Sequence, residues 1–303
     1  MIANIFTTII IQPIFNLLVF IYSILPGHNF GLAIIIFTIL IRLLMWPLVK
    51  KQLHHARAMR ELAPELKKIK KAAGGDRQKE SQLTMELYKE KEINPFASLG
   101  ILLVQIPILI GLYASLRRII NDPHQIISFS YPFLHHLSWL QALSQNIHLF
   151  DDSLFGLVNL TRTAVGTSGL YWPAVAIVLA SAAAQYFQTK QLMPQNPQAR
   201  GLRSILSEAG KGKQADQAEV NAAVGKSTQY LIPLMVMLVS IRLAVALPLY
   251  WLVSSLAAYL QQARALKVDA AIADASVADQ PSQAVSTVSQ TKPKKPAHRR
   301  RRR

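Results

Sequence analysis

A lone arginine lies within one of the most apolar stretches of the chain. Residues 31–49 read GLAIIIFTILIRLLMWPLV, and Arg42 is the only charged residue among them. As a helix, a stretch of this length extends about 28 Å, close to the hydrocarbon thickness of a bilayer. A cation inside a bilayer costs from about 3 to more than about 10 kcal/mol, depending on how the cost is measured. Arg42 therefore either snorkels towards the lipid headgroups or faces a hydrated cavity between helices.

Neutral polar residues recur in the same apolar stretch and in the other apolar stretches. Such side chains can line a wet groove around a buried cation, although each one alone more commonly forms a hydrogen bond between packed helices. Ser181 and Ser255 are two such positions. The residues that we take as candidates for a groove together with Arg42 are Thr38, Gln105, Gln185, Gln188 and Ser254.

The motifs of common catalytic sites are absent from the sequence. There is no Walker A motif, no GxGxxG after a strand, no HExxH and no GxSxG, and the chain has no cysteine. His135 and His136 are adjacent, so they would not share a helix face, and no carboxylate-rich segment accompanies them. The sequence therefore predicts neither an enzyme nor a metal or cofactor site.

Composition predicts an all-α, polytopic membrane protein. The chain is 51% hydrophobic and its mean hydropathy is +0.25. The region 228–263 is too long for one span, and Arg242 and Pro248 interrupt it, so we divide it into two helices joined by a turn on the outer side. The five predicted spans are 31–49, 95–116, 171–189, 228–243 and 246–263.

The distribution of positive charge predicts the orientation of these spans. Of the 33 lysines and arginines, 28 lie in segments 50–94, 190–227 and 264–303. Because cytoplasmic loops are enriched in Lys and Arg, five spans that begin on the outer side place all three segments in the cytoplasm. Arg117 and Arg118, at the outer end of the second span, are an exception to this rule.

Three further segments complete the predicted organisation. Residues 1–28 carry polar side chains at near-helical spacing, and we favour an interfacial helix on the outer surface over an extra span. Within the membrane domain 29–263, the apolar repeat of residues 50–93 breaks at Gly74-Gly75, which predicts a cytoplasmic antiparallel helical hairpin or, alternatively, a plain connector. Residues 264–303 form the predicted disordered basic tail.

The tail ends in KPKKPAHRRRRR. Clusters of this kind attract phosphate groups, either of nucleic acid or of anionic lipid, and a topology anchor is the alternative. The cations of the cluster are Lys292, Lys294, Lys295, Arg299, Arg300, Arg301, Arg302 and Arg303.

Taken in order, these segments resemble the YidC/Oxa-type membrane protein insertases. Residues 13–52 resemble the family's interfacial helix followed by its arginine-bearing helix. The family's cytoplasmic hairpin and next span resemble ARAMRELAPELKKIKK, then Gly-Gly, then ELYKEKEINPFASLGILLVQIPILIGLY. Its last helix resembles LYWLVSSLAAYLQQ. Two segments depart from the family pattern, because the outer segment 117–170 is long and the 190–227 loop is longer than expected.

The resemblance implies a function and a location. It implies a five-helix core around a hydrophilic groove that opens to cytoplasm and lipid, with Arg42 at the family's groove arginine position and Gln105 in its LLxQxPIxxxLY-like stretch. The implied activity is insertion of client transmembrane segments into a bacterial plasma membrane, with the C-terminus in the cytoplasm. Implied partners are nascent membrane proteins, the ribosome through the basic tail, anionic lipids and, as a further candidate, the Sec translocon. An anion transporter and a ribosome-tethering anchor are the alternatives.

Overall fold

The computed structural model describes residues 2–92, 99–167, 169–192, 207 and 217–278. Helices dominate this part of the chain, which confirms the all-α class. The chain divides into two compact units, residues 1–265 and 266–303.

The N-terminal helical segment packs into the protein rather than only lying against it. Helix α1 (Ile2–Phe6) continues through a π-helical turn (Thr7–Ile11) into α2 (Gln12–Ile24). Helix α2 buries both apolar and polar residues, among them Phe15 and Asn16. The Asn16 side-chain oxygen accepts the backbone N–H of Tyr131 from the outer segment. Asn16 therefore binds another part of the protein, which the spacing of polar residues alone did not predict.

The arginine-bearing helix is shorter than the predicted span 31–49. Helix α3 (Phe30–Leu44) begins at the N-cap Asn29, whose side chain accepts the backbone N–H of Leu32. It ends at Met45, and α4 (Trp46–Glu61) begins directly afterwards. Pro47 explains the interruption, because proline lacks an N–H and disfavours helical geometry in the residue before it.

Two helices of the basic segment pack against each other. They are α5 (Ala63–Ala73) and α6 (Arg77–Glu90), joined through Gly74 and Gly75, which both have positive φ angles. The Asp76 side chain caps α6 by accepting the backbone N–H groups of Gln78 and Lys79. Burial raises the pKa of the phenol of Tyr88 in α6.

The outer segment consists of short elements that follow the long helix α7 (Leu99–Asn121). They are α8 (Gln125–Ser128), a 3-10 turn (Pro132–His136), α9 (Ser138–Gln145) and a second 3-10 turn (Ile147–Leu149). Two antiparallel pairs of two-residue strands complete it, β1 (Ser153–Leu154) with β2 (Val158–Asn159), and β3 (Val165–Gly166) with β4 (Gly169–Leu170).

Three long helices form the remainder: α10 (Trp172–Leu192), α11 (Gln217–Ser240) and α12 (Ala246–Ala278). Helices α10 and α11 pack closely along each other. The turn between α11 and α12 is held by the outer segment, because Val245 and Ala246 donate backbone N–H groups to the carbonyls of Arg162 and Leu160.

The main core lies where α2, α3, α7, the outer segment and the start of α12 meet. The largest fully buried side chains there include Phe15, Tyr22, Phe37, Leu112 and Leu140. Glycine allows the closest approach between two of these helices, since a Cβ on Gly111 of α7 would lie 2.5 Å from Ile14 Cδ1. The outer segment is thus part of the core and not a loose connection.

Within the described residues, one helix passes a length and composition test for a membrane span, Asn4–Ile24. Two shorter apolar helices, Phe30–Leu44 and Gln229–Ser240, fall below the required length. The helix that passes lies in the segment for which we favoured an interfacial position, with an extra span as the alternative.

Candidate functional site

Arg42 lies in the last turn of α3 and its side chain contacts α12. The guanidinium Nε and Nη2 both donate hydrogen bonds to Ser254 Oγ, at 2.9 and 2.6 Å. Ser254 is buried, and Arg42 is half-buried. Because one hydroxyl accepts both bonds, the guanidinium is held against α12, and it has no carboxylate partner among the described residues.

A second hydrogen bond joins the same two helices. Gln261 Nε2, two turns after Ser254 on α12, donates to the backbone carbonyl of Arg42 at 3.0 Å. This carbonyl belongs to the last turn of α3, where the helix itself leaves carbonyls unpaired. The amide therefore fixes the end of α3 that carries the arginine.

Two other predicted residues also hydrogen-bond to α12. Gln105 Nε2 of α7 donates to the Tyr250 hydroxyl at 3.0 Å. Ser255 Oγ donates to Gln185 Oε1 of α10 at 2.8 Å. Residues from α3, α7 and α10 thus converge on one short stretch of α12. We call the group the polar cluster; its members are Arg42, Gln105, Gln185, Tyr250, Ser254, Ser255 and Gln261.

Thr38 and Gln188 are placed differently from the polar cluster. The Thr38 hydroxyl is buried and donates to the carbonyl of Ile34, one turn earlier in α3, at 2.6 Å. Gln188 carries a buried Oε1 atom with no hydrogen-bond partner among the described residues, and so does Gln261. Buried carbonyl oxygens of this kind ordinarily bind water or a ligand.

Exposed apolar residues follow Arg42 on α3 and also lie on α11, which packs against α10. In α3, Leu43 and Leu44 follow Arg42 directly and are 64% and 72% exposed. In α11 the exposed residues are Tyr230, Leu231, Leu234, Met235, Leu238 and Val239. An exposed apolar surface of this extent matches hydrocarbon better than water.

A smaller apolar cluster lies at the opposite end of the site from the main core. Val49 and Leu53 of α4 pack with Ala265 of α12, and Trp46 covers them. The Lys50 amine lies 5.8 Å from the centroid of the Trp46 ring. The polar cluster therefore occupies the space between two apolar regions.

The structure offers no grouping of metal ligands in the part of the chain that it describes. His135 Nε2 lies 2.9 Å from Ser130 Oγ and 3.1 Å from the carbonyl oxygen of Ile127, so it takes part in local hydrogen bonding. The predicted tail cations, Lys292 to Arg303, lie outside the described residues.

Tyr250 and Gln261 were not among the residues that the sequence singled out. Both lie in LYWLVSSLAAYLQQ, at one turn before and two turns after Ser254. Polar residues that are one or two helical turns apart lie on the same side of a helix. This spacing within an apolar segment could have indicated Tyr250 and Gln261 from the sequence.

Comparison with known proteins identifies the family. The sequence profile of the 60Kd inner membrane protein family matches residues 20–270. The chain belongs to the 60Kd inner membrane protein family. Membership assigns it to a bacterial membrane.

Relatives in this family are named as insertases. The chain is 40% identical over 142 residues to the membrane protein insertase YidC of Oleidesulfovibrio alaskensis, which covers 45% of this chain and 25% of that protein. It is 45% identical over 113 residues to YidC of Vesicomyosocius okutanii, covering 37% and 20%. The chain therefore spans about a quarter of the length of these relatives.

A third relative matches over a longer region. The membrane protein insertase MisCA of Bacillus subtilis is 29% identical over 253 residues, which covers 82% of this chain and 74% of that protein. All the residues of the polar cluster lie within the family match at residues 20–270.

Proposed function

We propose that this chain inserts transmembrane segments of client proteins into a bacterial plasma membrane. The relatives named as insertases support the activity, and the polar cluster supports the mechanism. The single observation that carries the proposal is the pair of hydrogen bonds from Arg42 to Ser254, which holds a cation that has no acidic partner among the described residues beside exposed apolar side chains. No step requires covalent chemistry, so no enzyme activity or cofactor is part of the proposal.

The physical task is to carry polar residues past hydrocarbon. An unsatisfied polar group in lipid costs several kcal/mol, whereas a hydrated groove shortens the path through lipid. In the proposal, Thr38, Gln105, Gln185, Gln188 and Ser254 line that groove with Arg42. The unpaired oxygens of Gln188 and Gln261 are further groups that can bind water or a client amide.

Arg42 selects the part of the client that moves first. Its charge attracts acidic residues in the tail that must reach the outer side. The membrane potential, negative inside, adds about 2.3 kcal/mol per acidic charge for each 100 mV. The client's apolar helix then passes to lipid along the exposed side chains of α3 and α11, and its burial in hydrocarbon drives the step.

The proposed arrangement in the membrane has five spans and a cytoplasmic C-terminus. The apolar parts of α3, α7, α10, α11 and α12 provide the spans, with residues 1–28 on the outer surface or as an extra span. Helices α5 and α6, within the predicted hairpin 50–93, then lie on the cytoplasmic side near the groove mouth. Their basic exterior makes them a contact surface for clients rather than a connector.

The basic tail is proposed to bind the ribosome. Eight cations fall within the last 12 residues, and ribosomal RNA presents a dense surface of phosphates. Truncation after Gln290 is expected to lower co-sedimentation with ribosomes in detergent, most strongly at low salt, because such binding depends on counterion release. Unchanged co-sedimentation across a salt series would instead leave the tail as an anchor for anionic lipid. The Sec translocon is a further candidate partner.

Reconstitution separates the proposal from its alternatives. Liposomes that contain only this protein are expected to insert a short client with an acidic tail, measured by protease protection of that tail. An anion transporter would release trapped anions from the same liposomes but insert no client. A ribosome-tethering anchor would do neither, so failure of insertion in these liposomes contradicts the proposal.

A further inference from the structure

A cavity lies at the C-terminal end of α7. In the proposed topology, this end of the helix is on the outer side of the membrane. Its volume is about 300 Å³. Side chains of α7, of the turn after α11 and of the first residues of α12 line it, and Arg117 and Arg242 are among them. The cavity is separate from the polar cluster, since the two share no residue.

Both lining arginines are available to bind a ligand. Within the described residues, neither the Arg117 nor the Arg242 side chain has a hydrogen-bond or ion-pair partner, and both are exposed. No acidic residue lines the cavity. Asp122, the residue directly after α7, uses Oδ1 to accept the backbone N–H of His124. Two unpaired arginines facing one cavity form an anion site, because the guanidinium matches phosphate geometry.

The neighbouring surface is apolar. One and two turns before Arg117 on α7, Tyr113 and Ile110 are exposed, and Tyr113 lines the cavity. Leu238 and Val239, which lie near the end of α11 and about one turn before Arg242, are exposed as well. A ligand that fills the cavity with an anionic group therefore meets exposed apolar side chains on both helices. This combination fits an amphipathic molecule rather than a small soluble anion.

We propose that this cavity binds the phosphate group of a phospholipid in the outer leaflet. Arg117 and Arg242 contact the phosphate, and the acyl chains lie along Tyr113, Ile110 and Leu238. Arg117 at the end of α7 then lies at the level of the lipid headgroups. Phosphate binding would explain why arginines occur on the outer side, where the positive-inside rule disfavours them. The inference goes beyond the proposed insertase activity and uses only its topology.

Lipid titration of the purified full-length chain tests the site. Native mass spectrometry in neutral detergent measures binding of dioleoyl phosphatidylglycerol to three forms of the protein. The cavity variant is Arg117→Gln with Arg242→Gln. The matched control is Arg118→Gln with Arg162→Gln, which removes the same charge from the same side but not from the cavity. The cavity variant is expected to bind the lipid about tenfold more weakly or worse, and the control within about twofold of the unaltered chain.

A third variant keeps both charges. Ala244 lines the cavity, and Ala244→Phe fills part of it while leaving the arginines in place. It is expected to weaken lipid binding as the cavity variant does, and thermal unfolding of each variant shows whether it is folded. Equal lipid affinity in the unaltered chain, the cavity variant and Ala244→Phe would overturn the site.

Two competitors distinguish the source of the anion. Glycerol 1-phosphate carries the phosphate without acyl chains, and a soluble acidic peptide carries carboxylates. Each is expected to displace phosphatidylglycerol only at concentrations at least about a hundredfold higher than the lipid, because the apolar contacts are missing. Displacement by glycerol 1-phosphate at the lipid's own concentration would reassign the site to free phosphate. Displacement by the peptide would reassign it to client carboxylates. Neither result bears on insertion itself, which the liposome assay measures separately.

Discussion

Two successive regions of α12 are held in the protein by different interactions, the first by apolar packing and the second by hydrogen bonds. From Ala246 to Tyr250 the helix is buried in the main core, among apolar side chains of α2, α7 and the outer segment. From Ser254 to Gln261 it holds other helices by side-chain hydrogen bonds, to Arg42 and to Gln185 through Ser255.

The difference assigns separate tasks to the two regions. In the first region, which is the outer one in the proposed topology, close apolar packing excludes water, although Trp139 Nε1, which packs against this core, is buried without a hydrogen-bond partner among the described residues. In the second region, the inner one in that topology, hydrogen bonds between helices leave polar atoms, including the oxygens of Gln188 and Gln261 that have no partner among the described residues. The proposed groove, closed outside and wet inside, needs this division.

Cysteine labelling tests the assignment of sides and is expected to give the largest effect. The chain contains no cysteine, so single substitutions report cleanly. Ser144→Cys in α9 and Ser81→Cys in α6 form a matched pair, since both serines are exposed. In intact cells an impermeant thiol reagent is expected to label Cys at 144 and not at 81, and Ser282→Cys in the tail is expected to stay unlabelled. Labelling at 282 without permeabilisation would contradict the five-span arrangement.

The closed region is expected to lose stability when its packing is removed. Phe15 of α2 is 0% exposed and Phe20 of the same helix is 39% exposed, so they form a matched pair. Phe15→Ala is expected to lower the free energy of unfolding by about 3–5 kcal/mol, and Phe20→Ala by less than about 2 kcal/mol. Denaturant unfolding in mixed micelles, followed by circular dichroism, measures both. Equal losses would mean that the outer region is not a packed core.

The polar region is expected to respond more weakly. Gln185→Leu and Ser255→Ala remove the two partners of one hydrogen bond between α10 and α12. A double-mutant cycle on the same unfolding assay is expected to give a coupling energy of about 1 kcal/mol. A coupling near zero would show that this bond does not hold the helices together, which would weaken the contrast between the two regions.

The sequence predicted a helical protein, because apolar periodicity is visible within each segment. It also selected several members of the polar cluster, because a polar residue within an apolar segment is costly to bury without a partner. Arg42, Gln105, Gln185 and Ser254 were all selected in this way, and the structure hydrogen-bonds each of them to another helix. The all-α class was confirmed for the same reason.

Contacts between distant segments could not be read from local patterns. The spacing of polar residues in 1–28 favoured an interfacial helix, but it did not indicate that Asn16 binds the backbone of Tyr131, 115 positions away. Similarly, Thr38 stays a proposed groove residue, but its polarity did not indicate that its hydroxyl donates to the carbonyl of Ile34 within α3. The break at Met45 was foreseeable from Pro47, whose effect on the preceding residue is local.

The charge of Arg42 is the centre of the proposed mechanism, and one measurement tests it most directly. Insertion into liposomes is compared for the unaltered protein, Arg42→Lys and Arg42→Ala, each with an acidic-tail client and with the same client carrying a neutral tail. Arg42→Lys is expected to keep most activity, because lysine retains the charge although it lacks the fork that binds Ser254. Arg42→Ala is expected to lose about tenfold or more with the acidic tail and much less with the neutral one. Full activity of Arg42→Ala towards the acidic-tail client would contradict the account.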